Sequence, residues 1–232
     1  MLQTKTSTIS NDQLLDSSIT NNVKVRQAVM GSDPTILSDI YKQETNIVVW
    51  QRNLSQKIAT AVDQLLAARP EFKASMTVTP QTTITALADF FGNANQLDLC
   101  EDIAELVDMY CYLFDLKRVG LRLTTLDRAM CPRFHVDKVP CRLLTTYQGI
   151  ATEWLPHQVV NREKLGQGSD GLPDHQSGLF THEDNIQQLT CGDIALLKGE
   201  RWEGNENAGL VHRSPMLNSD QTRLLLTLDF IN

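Results

Sequence analysis

His135 and Asp137 stand two positions apart in the string Cys131-Pro132-Arg133-Phe134-His135-Val136-Asp137-Lys138. On an extended chain alternate side chains project to one face, so both can reach a single ion. A third ligand must come from elsewhere, and the best candidate is His212 in Leu210-Val211-His212-Arg213-Ser214-Pro215. Two imidazoles and one carboxylate on one side of a divalent metal leave the opposite positions open, the arrangement used for oxygen activation at non-haem Fe(II). The His-x-Asp pair alone is common in unrelated sequences, and an isolated histidine is more often a surface or hydrogen-bonded residue. Its weight comes from the residues around it.

Arg223 opens a strongly apolar segment in which Arg223, Leu225, Thr227 and Asp229 share one face and Leu224, Leu226, Leu228 and Phe230 the other. Its planar fork suits two-point contact with a carboxylate, and a buried guanidinium without an anion would be costly. A structural pairing with Asp193 or Asp229 is the competing account. Cys131 and Cys141 flank the His-x-Asp pair, so a thiolate-containing zinc site stands as an alternative to iron. Buried, inert thiols are the plainer reading of both, and of Cys191. His157, His175 and His182 lie in or beside a long loop and read as surface residues. Trp154 and Trp202 fall where a substrate could stack or where the rim is packed, and Glu153 and Arg133 are polar neighbours suited to orienting a substrate.

The elements that must position these groups show in the periodicity. Leu54, Ile58, Ala61, Val62, Leu65 and Leu66 form one helical stripe ending before Pro70, and Leu99, Ile103, Leu106, Val107, Tyr110, Leu113 and Phe114 form another. A weaker helix is expected over Thr82 to Phe91, and Ile47 to Trp50 has strand character. From Val119 the period changes to two, with Val119, Leu121 and Leu123 alternating against Gly120, Arg122 and Thr124. Further strands are expected at Arg142 to Tyr147, Gly192 to Leu197, Leu210 to Ser214 and Arg223 to Phe230. Asn161 to Gly178 reads as a surface loop or lid, and residues 1–33 as a loosely ordered arm. Helices followed by many short strands indicate an α+β protein whose C-terminal half is a sandwich or barrel.

Composition narrows the partners. A chain of 232 residues can bury one large core, and 41% hydrophobic with 21% charged residues is ordinary for a globular protein. The net charge of −7, with Lys and Arg scattered among carboxylates, argues against a nucleic-acid partner. No apolar run reaches the length of about 18 residues needed for a membrane span, and Met1 to Ser10 is polar where a secretory signal is greasy. Five irregularly spaced cysteines suit reduced thiols, so the chain reads as cytoplasmic.

Taken together, His135-Val136-Asp137, Gly192-Asp193, and His212-Arg213-Ser214-Pro215 with Asn218 and Arg223 resemble the Fe(II)/2-oxoglutarate-dependent dioxygenases, especially their phytanoyl-hydroxylase-like branch. The whole chain also resembles an uncharacterised bacterial family known only as a domain of unknown function. The resemblance to the dioxygenases covers roughly residues 119–231 and leaves the helical first half unexplained. It implies an α+β fold whose C-terminal part is a double-stranded β-helix, a jelly-roll or cupin-like barrel, buttressed by N-terminal helices. The expected division is an arm over 1–33, a mainly helical region over 34–118 and the metal-binding core over 119–232. It further implies that His135, Asp137 and His212 bind Fe(II) and that Arg223 pairs with the distal carboxylate of 2-oxoglutarate. Ser214 or Tyr147 would supply an accompanying hydroxyl. The implied activity is a hydroxylase-like oxidation of a small molecule or modified residue. The alternative is a non-catalytic cupin-like protein that stores, senses or delivers zinc.

Overall fold

The computed structural model describes residues 25–92 and 96–231. The arm expected over 1–33 therefore lies outside the described residues as far as position 24, and from there the expectation is corrected. Gln27–Gly31 is a strand, β1, paired in parallel with β2 (Thr45–Trp50). Buried Arg26 donates from Nε to Asn205 Oδ1 at 2.7 Å, which ties this end down.

Helix α1 (Gln56–Ala68) starts at Ser55, whose hydroxyl accepts from the Ile58 N–H and satisfies one of the orphan donors of the first turn. Its buried stripe is Ala61, Val62 and Leu65. β3 (Lys73–Val78) follows, then α2 (Thr83–Phe91), which ends at Gly92 in the left-handed region, and α3 (Leu97–Leu113). Both long helices form where the sequence spacing predicts them. The region 34–118 also contributes strands to the main sheet: β2 and β3 enter it, and β3 pairs along its whole length with β4 (Val119–Leu126).

The remaining strands are β5 (His135–Val136), β6 (Cys141–Gln148), β7 (Glu153–Leu155), β8 (Gln187–Gln188), β9 (Ile194–Lys198), β10 (Val211–Arg213) and β11 (Arg223–Asp229). They form a seven-stranded sheet in the order β1-β2-β9-β6-β11-β4-β3 and a four-stranded sheet in the order β5-β10-β7-β8. Apart from β1 with β2, the pairs are antiparallel. From β4 onward the chain changes sheet at every connection except β7 to β8, so the two sheets are wound together.

Strand parity sorts the side chains into layers. Leu121, Leu123, Leu143, Tyr147, Leu224, Leu226 and Leu228 of the large sheet pack with Val62, Leu65, Leu99, Ile103, Leu106 and Tyr110 of the helices. Full burial of each leucine contributes about 1.5–3 kcal/mol, so this face anchors the sheet. Between the sheets, Ile47, Val49, Leu144, Ala195 and Leu197 meet Trp154, Leu189 and Leu210. The outer face of the small sheet, through Leu155 and Val211, is covered by Phe134, Leu179 and Phe180, with Val159, Val160 and Leu165 against them. The stretch read as a surface loop thus contributes core: Leu165 packs there, and Ser169, Asp174 and Ser177 are buried. Among the described residues no helix is long and apolar enough to cross a membrane.

Candidate metal centre

His135 and His212 are direct partners across the β5–β10 pair, and Trp154 of β7 lies on the other side of His212. The parity that turns Val136, Val211 and Leu155 outward turns His135, His212 and Trp154 inward. The two imidazole rings are 4.6 Å apart between centroids. Asp137, two residues beyond His135, completes the group: its Oδ1 is 3.8 Å from His135 Nε2 and its Oδ2 is 3.4 Å from His212 Nε2. One ligand atom from each residue lies within 4.8 Å of the others. Ligand atoms each about 2.0–2.2 Å from a common ion lie no more than about 4.4 Å apart, a span that the 3.4 and 3.8 Å separations already meet.

The rings are preset for coordination. His135 Nδ1 is 2.9 Å from Arg133 O, and His212 Nδ1 is 3.3 Å from Leu210 O. A carbonyl only accepts, so each Nδ1 carries the hydrogen and each Nε2 presents its lone pair to the site. Burial pushes His212 down to about 4, against the attraction of Asp137, which keeps this ring neutral at neutral pH. The carboxylate is held from behind: Arg142 Nη1 donates to Asp137 Oδ2 at 2.7 Å while its Nε and Nη2 grip Asp229 at 2.8 and 3.0 Å. The backbone is fixed too, because Glu200 N–H donates to Asp137 O. Gly199 makes that approach possible, since a Cβ there would collide with Val139 O and Asp137 O.

Arg223 is the second feature of the cavity. It is 1% exposed, and among the described residues no carboxylate pairs with it. Nη2 donates to Thr152 Oγ1 at 2.6 Å and to Thr146 Oγ1 at 3.1 Å, and Nε reaches Thr146 Oγ1 at 3.3 Å. Burial in a pocket that solvates the cation poorly lowers its proton affinity to about 10. The structural pairings are excluded: Asp229 is taken by Arg142, and Asp193 Oδ2 accepts from Thr190 N–H. His135, His212, Ser214 and Arg223 line one cavity between the sheets, together with Leu144 and Thr152.

Several sequence assignments are corrected. Tyr147 points to the helix side, where its hydroxyl donates to Asp102 Oδ2 at 2.6 Å beside the Arg52–Asp102 pair, so it is not the hydroxyl at Arg223. Thr146 and Thr152 hold that place. The signal for Thr146 was its parity with Arg142 and Leu144 on β6; Thr152 comes from the turn after it and carried none. Ser214 lines the cavity and its N–H donates to Cys131 O, without touching Arg223. Cys141 is buried in the helix-side core, and Cys131, though exposed on the cavity wall, does not join the ligand group, so no thiol supports the zinc alternative. Cys191 is exposed rather than buried.

Trp154 is a core residue between the sheets, and Trp202 packs against Tyr41 and Phe114 on the helix side, away from the cavity. Glu153 accepts from Arg213 Nε at 2.6 Å, and Arg133 lies 3.5 Å from Asp174. Asp174 was missed; its Oδ2 accepts from Phe134 N–H at 2.9 Å and so fixes the strand that bears His135.

Residues 31–229 match the model of a family described as a protein of unknown function, DUF1826. The chain belongs to that family. No curated protein matches this DUF1826 protein significantly. Among solved structures it is similar to the rice dioxygenase for auxin oxidation, with 11% identity, 89% of this chain and 83% of that chain covered, and a TM-score of 0.50. A 2-oxoglutarate complex of the Arabidopsis thaliana dioxygenase for auxin oxidation matches at 10% identity over 90% of this chain and 93% of that one, TM-score 0.47. A Pseudomonas putida prolyl-4-hydroxylase matches at 12% identity over 84% and 96%, TM-score 0.43. The likeness to the rice enzyme is one of fold alone.

Proposed function

We propose that this DUF1826 protein is an Fe(II)/2-oxoglutarate-dependent oxygenase of hydroxylase type. The observation that carries the reading is the pairing, in one cavity, of an open-sided His135–Asp137–His212 group with a buried guanidinium that has no carboxylate of its own. An unpaired buried cation costs several kcal/mol unless an anion enters. A small diacid fits the need, with one end on Arg223, Thr146 and Thr152 and the other toward the ligand group. The alternation of β4 to β11 between two four-strand layers supports a double-stranded β-helix, as does the fold likeness to the rice dioxygenase. On this reading 119–232 is the metal-binding core, and residues before it extend the large sheet and cover its outer face.

The residues present fit the metal: two imidazoles with Nε2 inward and one carboxylate, with no thiol. When bound, Fe(II) would supply the reduction of dioxygen coupled to decarboxylation of the 2-oxo acid. The chain's own part is positional. Arg142 and the Gly199–Glu200 turn hold Asp137, the carbonyls of Arg133 and Leu210 orient the rings, Arg223 holds the distal acid, and the apolar walls of the inter-sheet core keep water out.

The test is anaerobic thermal unfolding of the Fe(II)-loaded protein with and without millimolar 2-oxoglutarate, followed by succinate analysis after air is admitted. The expected result is a 2-oxoglutarate-dependent rise in Tm, succinate formation, and loss of both in Arg223→Ala. An unchanged Tm together with no succinate overturns the reading.

A further inference from the structure

The walls of the metal cavity are lopsided in charge. Among the residues lining it are Arg122, Arg142, Arg213 and Arg223 with His135 and His212, and the carboxylate beside them is that of the ligand Asp137, in a chain whose net charge is −7. Positive walls of low dielectric concentrate anions and steer them inward. Three of the four guanidinium groups have a place in the structure. Arg142 is shared by Asp229 and Asp137, and Arg213 is held by Glu153 and lies over the Phe134 ring, 4.3 Å from its centroid. Arg223 is cradled by two threonines. The Arg122 side chain has no hydrogen bond, ion pair or ring contact among the described residues and is exposed at the cavity edge.

Its position matters more than its exposure. In the β4–β11 pair Arg122 faces Thr227, and Arg223 lies four residues earlier on β11, about 13 Å along the strand at about 3.3 Å per residue. The neighbouring register position, Asp229 with Arg142, is the one that reaches Asp137, so Arg122 sits at the ligand-group end of the sheet and Arg223 at the far end. A short diacid fixed at Arg223 with its other end at the triad leaves Arg122 free. We infer that the oxidised substrate is itself an organic acid, whose anionic group is received by Arg122 while an apolar body lies along Met130, Leu144 and Leu225. This rests on the oxygenase reading above.

Cys131, exposed on the same cavity wall, serves as a reporter, and exposed Cys191, not among the cavity-lining residues, as its internal reference. The experiment compares alkylation of both thiols by anionic iodoacetate and neutral iodoacetamide, read by peptide mass spectrometry on the full-length protein. The iodoacetate-to-iodoacetamide rate ratio at Cys131 is expected to exceed that at Cys191 by roughly tenfold at low salt, and to converge with it at high salt. Arg122→Gln is expected to remove most of the excess, with its far-UV circular dichroism unchanged, while Arg223→Gln leaves most of it.

Equal ratios at the two thiols, or an excess that survives Arg122→Gln, overturn the inference. So does an excess lost only in Arg223→Gln. The readout needs neither metal nor 2-oxo acid, so its failure leaves the oxygenase reading standing. Failure of 2-oxoglutarate to stabilise the metal-loaded protein removes that reading without altering the thiol result.

Discussion

Arg142 holds a single oxygen of Asp137, with Nη1 2.7 Å from Oδ2, while its other nitrogens are bound to both oxygens of Asp229. The geometry leaves Oδ1 of Asp137 directed at His135 and engages Oδ2 from β6 of the other sheet. A carboxylate held in this way offers a metal one oxygen rather than two, which keeps coordination positions open.

Removal of that clamp is expected to show in metal binding before it shows in folding. Loss of such a supporting partner typically lowers metal affinity 10- to 100-fold. Arg142→Gln is therefore predicted to weaken Mn(II) binding, measured by calorimetric titration, by about that factor. Asp229→Asn, which acts only through Arg142, is predicted to give a smaller loss in the same direction. Unchanged affinity in both variants would show that Asp137 needs no clamp.

The His212 ring sets a pH dependence of the metal-free protein. Its ordinary value of 6.5 is pushed down to about 4 by burial, so between those values the unfolded chain takes up a proton that the folded site refuses. Stability is then expected to fall as pH drops through that window, by about 3 kcal/mol at most, and to owe nothing to this ring above it. Urea unfolding from about pH 7 to about pH 4.5 should show the slope in the wild type and a shallower one in His212→Gln.

Tyr147 and the two threonines separate folding from ligand binding. Tyr147→Phe leaves Asp102 short of one hydrogen bond and is predicted to cost about 1–2 kcal/mol of stability with 2-oxoglutarate binding unchanged. Thr152→Val removes the 2.6 Å contact to Arg223 and is predicted to weaken 2-oxoglutarate binding to the Mn(II)-loaded protein several-fold, with Mn(II) affinity intact. Calorimetry on the two variants checks both halves, and a binding defect in Tyr147→Phe would contradict the assignment.

Gly149, in the turn from β6 to β7, packs against the start of β11. It has φ +86°, and a Cβ would collide with Thr222 O and approach Arg223 Cα at 3.1 Å. Gly149→Ala is expected to cost upward of about 1 kcal/mol and to move Arg223 off its threonines. The matching measurement is the Tm together with the 2-oxoglutarate-dependent Tm shift, both of which should decrease.

How much of this was legible in the sequence depended on range. The stripe Ala61, Val62, Leu65 and the alternation of Leu224, Leu226 and Leu228 are local patterns, and the elements form where those patterns lie. β5, β7 and β8 are two or three residues long, too short to show a period; β5 and β7 pair with β10 from far along the chain, and β8 pairs with β7. β1 alternates no large apolar residues against polar ones, so it reads as arm until β2 is found beside it. The candidate pair His135 and Asp137 was legible because the two stand two positions apart, on and just past β5. The partner of Tyr147 lies 45 residues earlier on α3, a contact no local pattern announces. The parity that puts Thr146 rather than Tyr147 beside Arg223 was readable, since Arg142 and Leu144 share its face.

The most direct test of the account is X-ray absorption at the iron edge of the anaerobic Fe(II)-loaded protein. The account predicts a shell of nitrogen and oxygen only, with the outer scattering of two imidazole rings, reduced to one in His212→Ala. A sulfur scatterer in that shell, or a spectrum indifferent to His212→Ala, would contradict it.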